Sequence, residues 1–297
     1  MTIRKSPGEV AFNVCNVVLM LFMIVITIYP FVYVLMSSLS HSTQLLSHTG
    51  LLLKPIGFTT EAYSMVFRNP NIASGFQNTF FIVAVGTLVN LVITCLGAYV
   101  LSRKGVPWTK PIMLAIVFTM FFSGGLIPTY LLVNNWLGLG DSLAALIIPG
   151  AISTWNLIIL RTSFGGIPES LIESARIDGA QDFTILLRIV IPLSMPVIAV
   201  MILFYSVGHW NSWFGAMIYL RDRSLFPLQL ILREILIQNS TQFMASDASA
   251  AAAGDVEAIG ESIKYATIMI ATLPILVVYP FLQKYFVKGV MIGSIKG

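Results

Sequence analysis

Apolar residues fall in six long stretches along this chain, and charge is confined to the gaps. No Asp, Glu, Lys or Arg occurs between Glu9 and Lys54, Arg68 and Arg103, Lys110 and Asp141, Asp141 and Arg161, Arg188 and Arg221, or Lys264 and Lys284. A helix needs about 20 mostly apolar residues to cross the hydrocarbon of a bilayer. The pattern predicts six transmembrane helices, at about 12–37, 76–101, 111–132, 142–160, 193–220 and 265–284. Barrel strands are about 10 residues long and alternate in polarity, which these stretches do not. The fold class is all-α, a polytopic membrane protein, and residues 1–297 read as a single transmembrane domain.

Two gaps are long, about 38–75 and 221–263. In the first, "LLLKPIGFTTEAYSMVF" has two short apolar stretches around Pro55 and Gly57, too short to span and suited to the membrane surface. The second opens with "SLFPLQLILREILIQ". Pro227 suits a first helical turn, and Leu228, Ile231, Leu232 and Ile235 share one helical face, which predicts an amphipathic helix. The small, polar, aperiodic residues 239–260 that follow predict a mobile arm.

Composition agrees with the pattern. The chain is 57% hydrophobic and 10% charged, where a soluble domain averages about 25% charged residues. Lys and Arg set the orientation, because cytoplasmic loops are the richer in them. With the N-terminus cytoplasmic, eleven of the 17 (Arg4, Lys5, Arg103, Lys104, Lys110, Arg161, Arg176, Arg188, Lys284, Lys288 and Lys296) lie inside. Both termini are therefore expected in the cytoplasm. The pI of 9.1 reflects this bias and carries no nucleic-acid signal. The first apolar stretch exceeds a secretory h-region of about 7–15 residues and lacks a cleavage site, so it reads as an uncleaved anchor. Cys15 and Cys95 both fall inside predicted helices, and no disulfide is expected.

One short segment breaks the avoidance of charge. "IPESLIESARIDGAQDF", residues 167–183, holds Glu169, Glu173, Arg176, Asp178 and Asp182. Pro168 suits a helix N1 position, and Glu169 and Glu173 favour the positive N-terminal end. Gly179 suits a left-handed C′ position. Between them the residues predict one helix of about ten residues, with Leu171, Ile172 and Ala175 on its apolar side. Such a helix can enter a cleft in a partner protein or lie on lipid headgroups.

The spacing Glu173-Ser174-Ala175, Gly179, Ile189, Ile191-Pro192 resembles the EAA loop of permease subunits of ABC importers. That pattern runs Glu-Ala-Ala, three residues, Gly, nine residues, Ile-x-Leu-Pro; here Ser174 replaces Ala and Ile191 replaces Leu. "PIGFTTEAY", "FSGGLIPTYLL", "GHWNSWF" and the terminal "YPFLQKYFVKGVMIGSIKG" extend the likeness over nearly the whole chain. They are similar to carbohydrate permeases of the maltose-permease superfamily, most of all its oligosaccharide and alginate importers. The resemblance implies a type I ABC importer permease fold with a coupling loop at about 165–192. It implies that Glu173, Ser174, Ala175, Arg176, Asp178 and Gly179 dock on a cytoplasmic ATPase. It also implies a companion permease, two ATPase subunits, an extracytoplasmic solute-binding protein and a carbohydrate substrate moved by alternating access. ATP and Mg belong to the partner ATPase, and this chain is expected to bind no cofactor or metal.

The residues are compatible with a driven role. No G-x-x-x-x-G-K-[ST] and no H-E-x-x-H occurs in the sequence. Apart from Lys284 at the very end of the last one, no charged residue lies in the predicted spans, where ion-coupled carriers usually keep one, although sodium sites can be built from carbonyls and hydroxyls. An ion-coupled secondary carrier without an ATPase is the alternative; an intramembrane hydrolase lacks an acid or a nucleophile–base pair. For the substrate path, Tyr205, His209 and Trp213 at i, i+4, i+8 predict a shared face, and Trp210 and Asn211 are candidates beside them. Asn90, Trp155 and Asn156 are further candidates. Gly124, Gly125 and Pro128 predict a helix break near the outer surface, read as an outer gate.

Overall fold

The computed structural model describes residues 6–245, 260–277 and 280, with side chains undescribed over 238–245. They are helical, with no strand among the described residues. Two compact units divide the chain: one takes in residues 1–69 and 232–272, the other 70–231 and 273–297.

In the first unit, α1 runs Pro7–Ser38, started by a capping box between Ser6 and Glu9. Two short helices follow, α2 (Ser42–Leu46) and α3 (Glu61–Arg68). Ser38 Oγ lies 2.8 Å from Tyr63 Oη, and the Ile56 N–H donates to Ser40 Oγ at 3.0 Å, which fastens this segment to the end of α1.

The second unit is built around α4, Pro70–Ser102. It begins at Pro70, earlier than the expected 76, because a proline at a helix start loses no hydrogen bond. The third apolar stretch is two helices, α5 (Thr109–Phe121) and α6 (Leu126–Leu131), the latter running on through a π-helical turn to Trp136. The pair bends by 112° at the expected break. Gly125 makes it, with φ +86°. Pro128 does not, since it sits in the first turn of α6, where its missing N–H has no intrahelical partner to lose.

The fourth stretch departs from expectation. It is not one helix over 142–160 but α7 (Ala144–Ile147) and α8 (Thr154–Gly165), separated by non-helical backbone. Pro149 and Gly150 end the first piece, and Ser153 caps the second through its side chain to the Asn156 N–H. The island is α9, Glu169–Ile177. After it come α10 (Asp182–Ile185), a π-helical turn over Leu186–Val190, and α11 (Ile191–Leu193). An 87° bend at Ser194 leads to α12, Met195–Trp210. The fifth stretch therefore breaks after Trp210 and resumes as α13, Phe214–Tyr219. Helix α14 spans Leu228–Ala245, so residues 239–245 of the expected mobile arm are helical. Residues 246–259 of that arm lie outside the described residues. Helix α15 covers Gly260–Val277; the last part of the predicted sixth span and the C-terminal motif lie outside the described residues.

Among the described residues, three helices are long and apolar enough to cross a bilayer, α1, α4 and α15, and the two bent pairs bring the number to five. Helices α8 and α12 pack on α4. The core they share holds Leu157, Leu160, Phe164, Val190 and Met201 and continues into the island through Ile172 and Ile185.

Candidate functional site

The island is a rigid projection. Pro168 stands at the N-cap of α9, one residue before the N1 position expected for it, and Gly179 at φ +79° ends the helix. The Gly179 N–H donates to the Arg176 carbonyl at 3.0 Å and the Ala180 N–H to the Ala175 carbonyl at 2.9 Å. These are the two bonds of a Schellman motif. Ile172 is buried, and Ala175 and Ala180 pack on the same core. Leu171, expected on that side, is exposed. Glu173, Ser174, Arg176, Asp178 and Gly179 are exposed together, so all the predicted docking residues except Ala175 share the outer surface.

Two ion pairs frame the helix. Lys104 Nζ lies 2.8 Å from Glu169 Oε2, and the bonded carboxylate holds the ammonium above its ordinary range. Arg176 Nη2 lies 3.1 Å from Asp182 Oδ1. Both pairs are solvated, and screening by water leaves them little net effect on stability. Sequence reasoning missed the apolar residue among them: Ile177 is 86% exposed, and Phe183 nearby is 68% exposed. The signal was present. Ile177 stands five residues from Ile172, about 140° round the helix and on the charged side.

Within the membrane part of the second unit is a cavity of about 780 Å³, walled by Phe80, Trp155, Asn156, Ser206, Trp210 and Asn211 among others. Trp210 is held by the rings of Phe76 and Phe80 at 6.4 and 5.8 Å. Trp210, Asn211, Trp155 and Asn156 thus stand together.

Tyr205, His209 and Trp213 do not form the expected face. Helix α12 ends at Trp210, and Trp213 packs beside Ala216, Leu220 and Leu230. Tyr205 Oη lies 2.8 Å from Thr94 Oγ1 and accepts the Ser153 N–H at 3.3 Å. His209 Nε2 donates to Asn90 Oδ1 at 2.6 Å, and Asn90 Nδ2 donates to the Gly150 carbonyl at 2.7 Å. These side chains satisfy the exposed backbone of the break between α7 and α8, which apolar surroundings would otherwise penalise.

Away from the island, Tyr130 and Tyr219 stack with centroids 6.0 Å apart. Asp141, at φ +56°, accepts the N–H groups of Arg221 and Asp222 on Oδ1 at 2.8 and 2.9 Å. Those bonds, that of Asp222 foremost, hold its carboxyl below the ordinary range. A depressed pKa means the brace is intact above the ordinary carboxylate value and is lost as pH falls through the lower folded value. Asp141→Ala is expected to speed hydrogen exchange at the Arg221 and Asp222 amides about tenfold, and Asp141→Asn by less. Unchanged exchange in both variants would show that the brace does not hold these amides.

Helices apolar and long enough to span a bilayer, a cavity walled by aromatic and amide side chains, and a short charged helix set beside them are features of a transport permease. Residues 96–292 match the family of binding-protein-dependent transport system inner membrane components, and the chain belongs to that family. It is 43% identical to the polygalacturonan/rhamnogalacturonan transport system permease protein YtcP of Bacillus subtilis, over 92% of this chain and 93% of that one. It is 41% identical to Protein LplC of the same organism, over 100% and 98%. A crystal structure of a bacterial ABC transporter involved in importing the acidic polysaccharide alginate matches with a TM-score of 0.83 and 29% identity, over 96% of this chain and 100% of that one. The chain is thus a multi-pass permease subunit of an ABC importer in the cytoplasmic membrane, and the ion-coupled carrier is set aside.

Proposed function

We propose that this subunit forms half of the pore of an ATP-driven importer for acidic oligosaccharides of the uronate type. The observation that carries the substrate class is the 43% identity to a permease for polygalacturonan and rhamnogalacturonan, beside a fold match to an alginate importer. All three polymers contain uronate units. The cavity is compatible with sugar. The faces of Phe80, Trp155 and Trp210 can stack on the C–H faces of pyranose rings, and the amides of Asn156 and Asn211 can bond hydroxyls. No Lys or Arg stands among its walls within the described residues, so an anion meets no fixed cation that would retain it.

In this reading α9 enters a groove on a cytoplasmic ATPase, which supplies the ATP and Mg chemistry that this chain does not. Glu173 finds a basic partner there, Ile177 an apolar one, and Gly179 permits close backbone approach. One α9 serves one ATPase, so a companion permease, related but different, completes the pore. The bend at Gly124–Gly125 forms part of the outer gate. A solute-binding protein delivers the sugar on the opposite side.

The test is reconstitution with the binding protein, companion permease and ATPases. Oligogalacturonide-loaded binding protein is expected to raise ATP hydrolysis and drive uptake, and neutral arabino-oligosaccharide to do neither. The reverse preference would overturn the uronate reading while leaving the importer assignment standing.

A further inference from the structure

The island is tied to the membrane helices by more than apolar packing. Asp182 Oδ1 accepts from Arg176 Nη2 of α9 at 3.1 Å and from Tyr99 Oη of α4 at 3.2 Å. One carboxylate oxygen thus joins the projecting helix to the last turn of the central span. Tyr99 is only 6% exposed, so its ring has little freedom to follow a wandering partner. Arg103 stands over that ring, its guanidinium 5.0 Å from the centroid.

The ends of α4 and α8 are clasped in turn. Arg103, just past α4, donates from Nη2 to the Phe164 carbonyl of α8 at 2.9 Å. Arg161 of α8 donates from Nε to the Leu101 carbonyl of α4 at 2.8 Å. Each arginine satisfies a carbonyl in the last turn of the other helix, where intrahelical donors run out. Apolar contacts such as Ile172 against the core are non-directional and allow sliding. The shared oxygen and the crossed arginines are directional and do not.

Helices α4 and α8 also carry cavity walls: Phe80 and Val83 on α4, Trp155 and Asn156 on α8. Val83 and Tyr99 are separated by about 24 Å along α4 at 1.5 Å per residue. We infer that Tyr99 and Asp182 form a strut that transmits displacement of α9 to α4 and, through the Arg103–Arg161 clasp, to α8. Tyr99 and Asp182 are positioning residues: neither touches substrate, and the role rests on the reading that an ATPase moves α9.

The experiment uses the assembled transporter and measures sugar imported per ATP hydrolysed, together with ATPase subunits recovered per permease. Tyr99→Phe removes one hydroxyl and Asp182→Asn one charge. Both variants are expected to recover ATPases normally and to hydrolyse ATP when loaded binding protein is added. The import-to-hydrolysis ratio is expected to fall about tenfold in either variant, the factor that goes with losing a hydrogen bond to a charged group. The double variant is expected to be no worse than the poorer single, because the bond that Tyr99→Phe removes is one of the two that Asp182→Asn weakens. A normal ratio in Tyr99→Phe overturns the strut. So does a double variant whose loss is the product of the singles, or a loss of ATPase recovery with a normal ratio in the complexes that remain. Absence of ATPases from the wild-type complex sinks the docking reading first and the strut with it. Tyr99→Leu, which fills the same pocket without ring or hydroxyl, separates the two parts: a ratio lower than in Tyr99→Phe is expected if the stack with Arg103 also transmits, and a normal one overturns the strut.

Discussion

Gly179→Val is expected to abolish ATP-driven uptake while leaving the subunit inserted and paired with its companion. Gly179 stands at φ +79°. A left-handed backbone costs an L-residue about 1–2 kcal/mol, and a β-branched side chain more. The same residue makes one of the two Schellman bonds that stop α9 and aims the Ala180 N–H at the other, so relaxing its φ lengthens or frays the helix at its tip. Among the described residues, chain neighbours aside, nothing lies within 4 Å of a Cβ built there. Internal packing therefore does not require glycine; the backbone does, and a closely approaching partner adds a second reason. Gly179→Ala shares the strain without the branch and is expected to retain part of the uptake. Glu173→Ala tests the other half of the surface. Glu173 is exposed, and the two ion pairs of the island leave it out. Stripping one member from a desolvated interface pair costs roughly 2–5 kcal/mol. The measurement is ATPase co-purification and uptake at matched membrane levels. Wild-type values for both Gly179→Val and Glu173→Ala would end the docking reading. A helix lying on headgroups predicts that outcome, because losing one carboxylate there hardly matters.

The island was legible because its signals are local. Pro168, Glu169 and Gly179 each act within one turn of their own position, and the structure starts and stops α9 where they stand. The membrane segments were legible as runs, since burial in lipid selects apolar side chains whatever the backbone does. For the same reason the breaks were harder to see. Residues 144–160 remain apolar across the gap between α7 and α8. The groups that make that gap tolerable, Asn90 and Tyr205, are 60 and 52 residues away from the backbone they serve. Hydropathy cannot report a hydrogen bond made from so far along the chain. The predicted face of Tyr205, His209 and Trp213 failed on a similar point. Helical spacing assigns a common side only while the helix lasts, and α12 ends at Trp210. Two of the three then turned out to bond to α4 and the break, while Trp210 and Asn211 at the helix end met the cavity. Ile177 was missed for a simpler reason: its spacing from Ile172 already puts it on the charged side, but one isoleucine is easily passed over in so apolar a chain.

The contact between α4 and α12 is expected to be the least tolerant place in the membrane core. A Cβ added to Gly86 would stand 2.6 Å from His209 Nε2, 2.8 Å from Cε1 and 3.0 Å from Cδ2. A flexible tip could swing away, but this ring is tethered by its 2.6 Å bond to Asn90. Moving it releases Asn90 Oδ1 and disturbs the bond from Asn90 to the Gly150 carbonyl. Lipid is as apolar as the helices it surrounds, so their association depends on close approach and interhelical hydrogen bonds. Gly86→Leu attacks both. Overpacking costs about 1–3 kcal/mol. Each lost interhelical bond adds roughly 0.6–2 kcal/mol. The sum is a large share of the about 5–15 kcal/mol that holds an ordinary fold together. Gly86→Leu is expected to leave little folded subunit in the membrane. Gly86→Ala is expected to lower the melting temperature in detergent by several degrees, since only the ring has to yield. The check that isolates the cause is His209→Ala in the Gly86→Ala background. Removing the ring restores the space at the expense of one bond, so the double variant is expected to melt higher than Gly86→Ala alone. If it melts lower by the full cost of His209→Ala, the glycine and the histidine do not share a contact, and α4 and α12 are packed more loosely than these distances require.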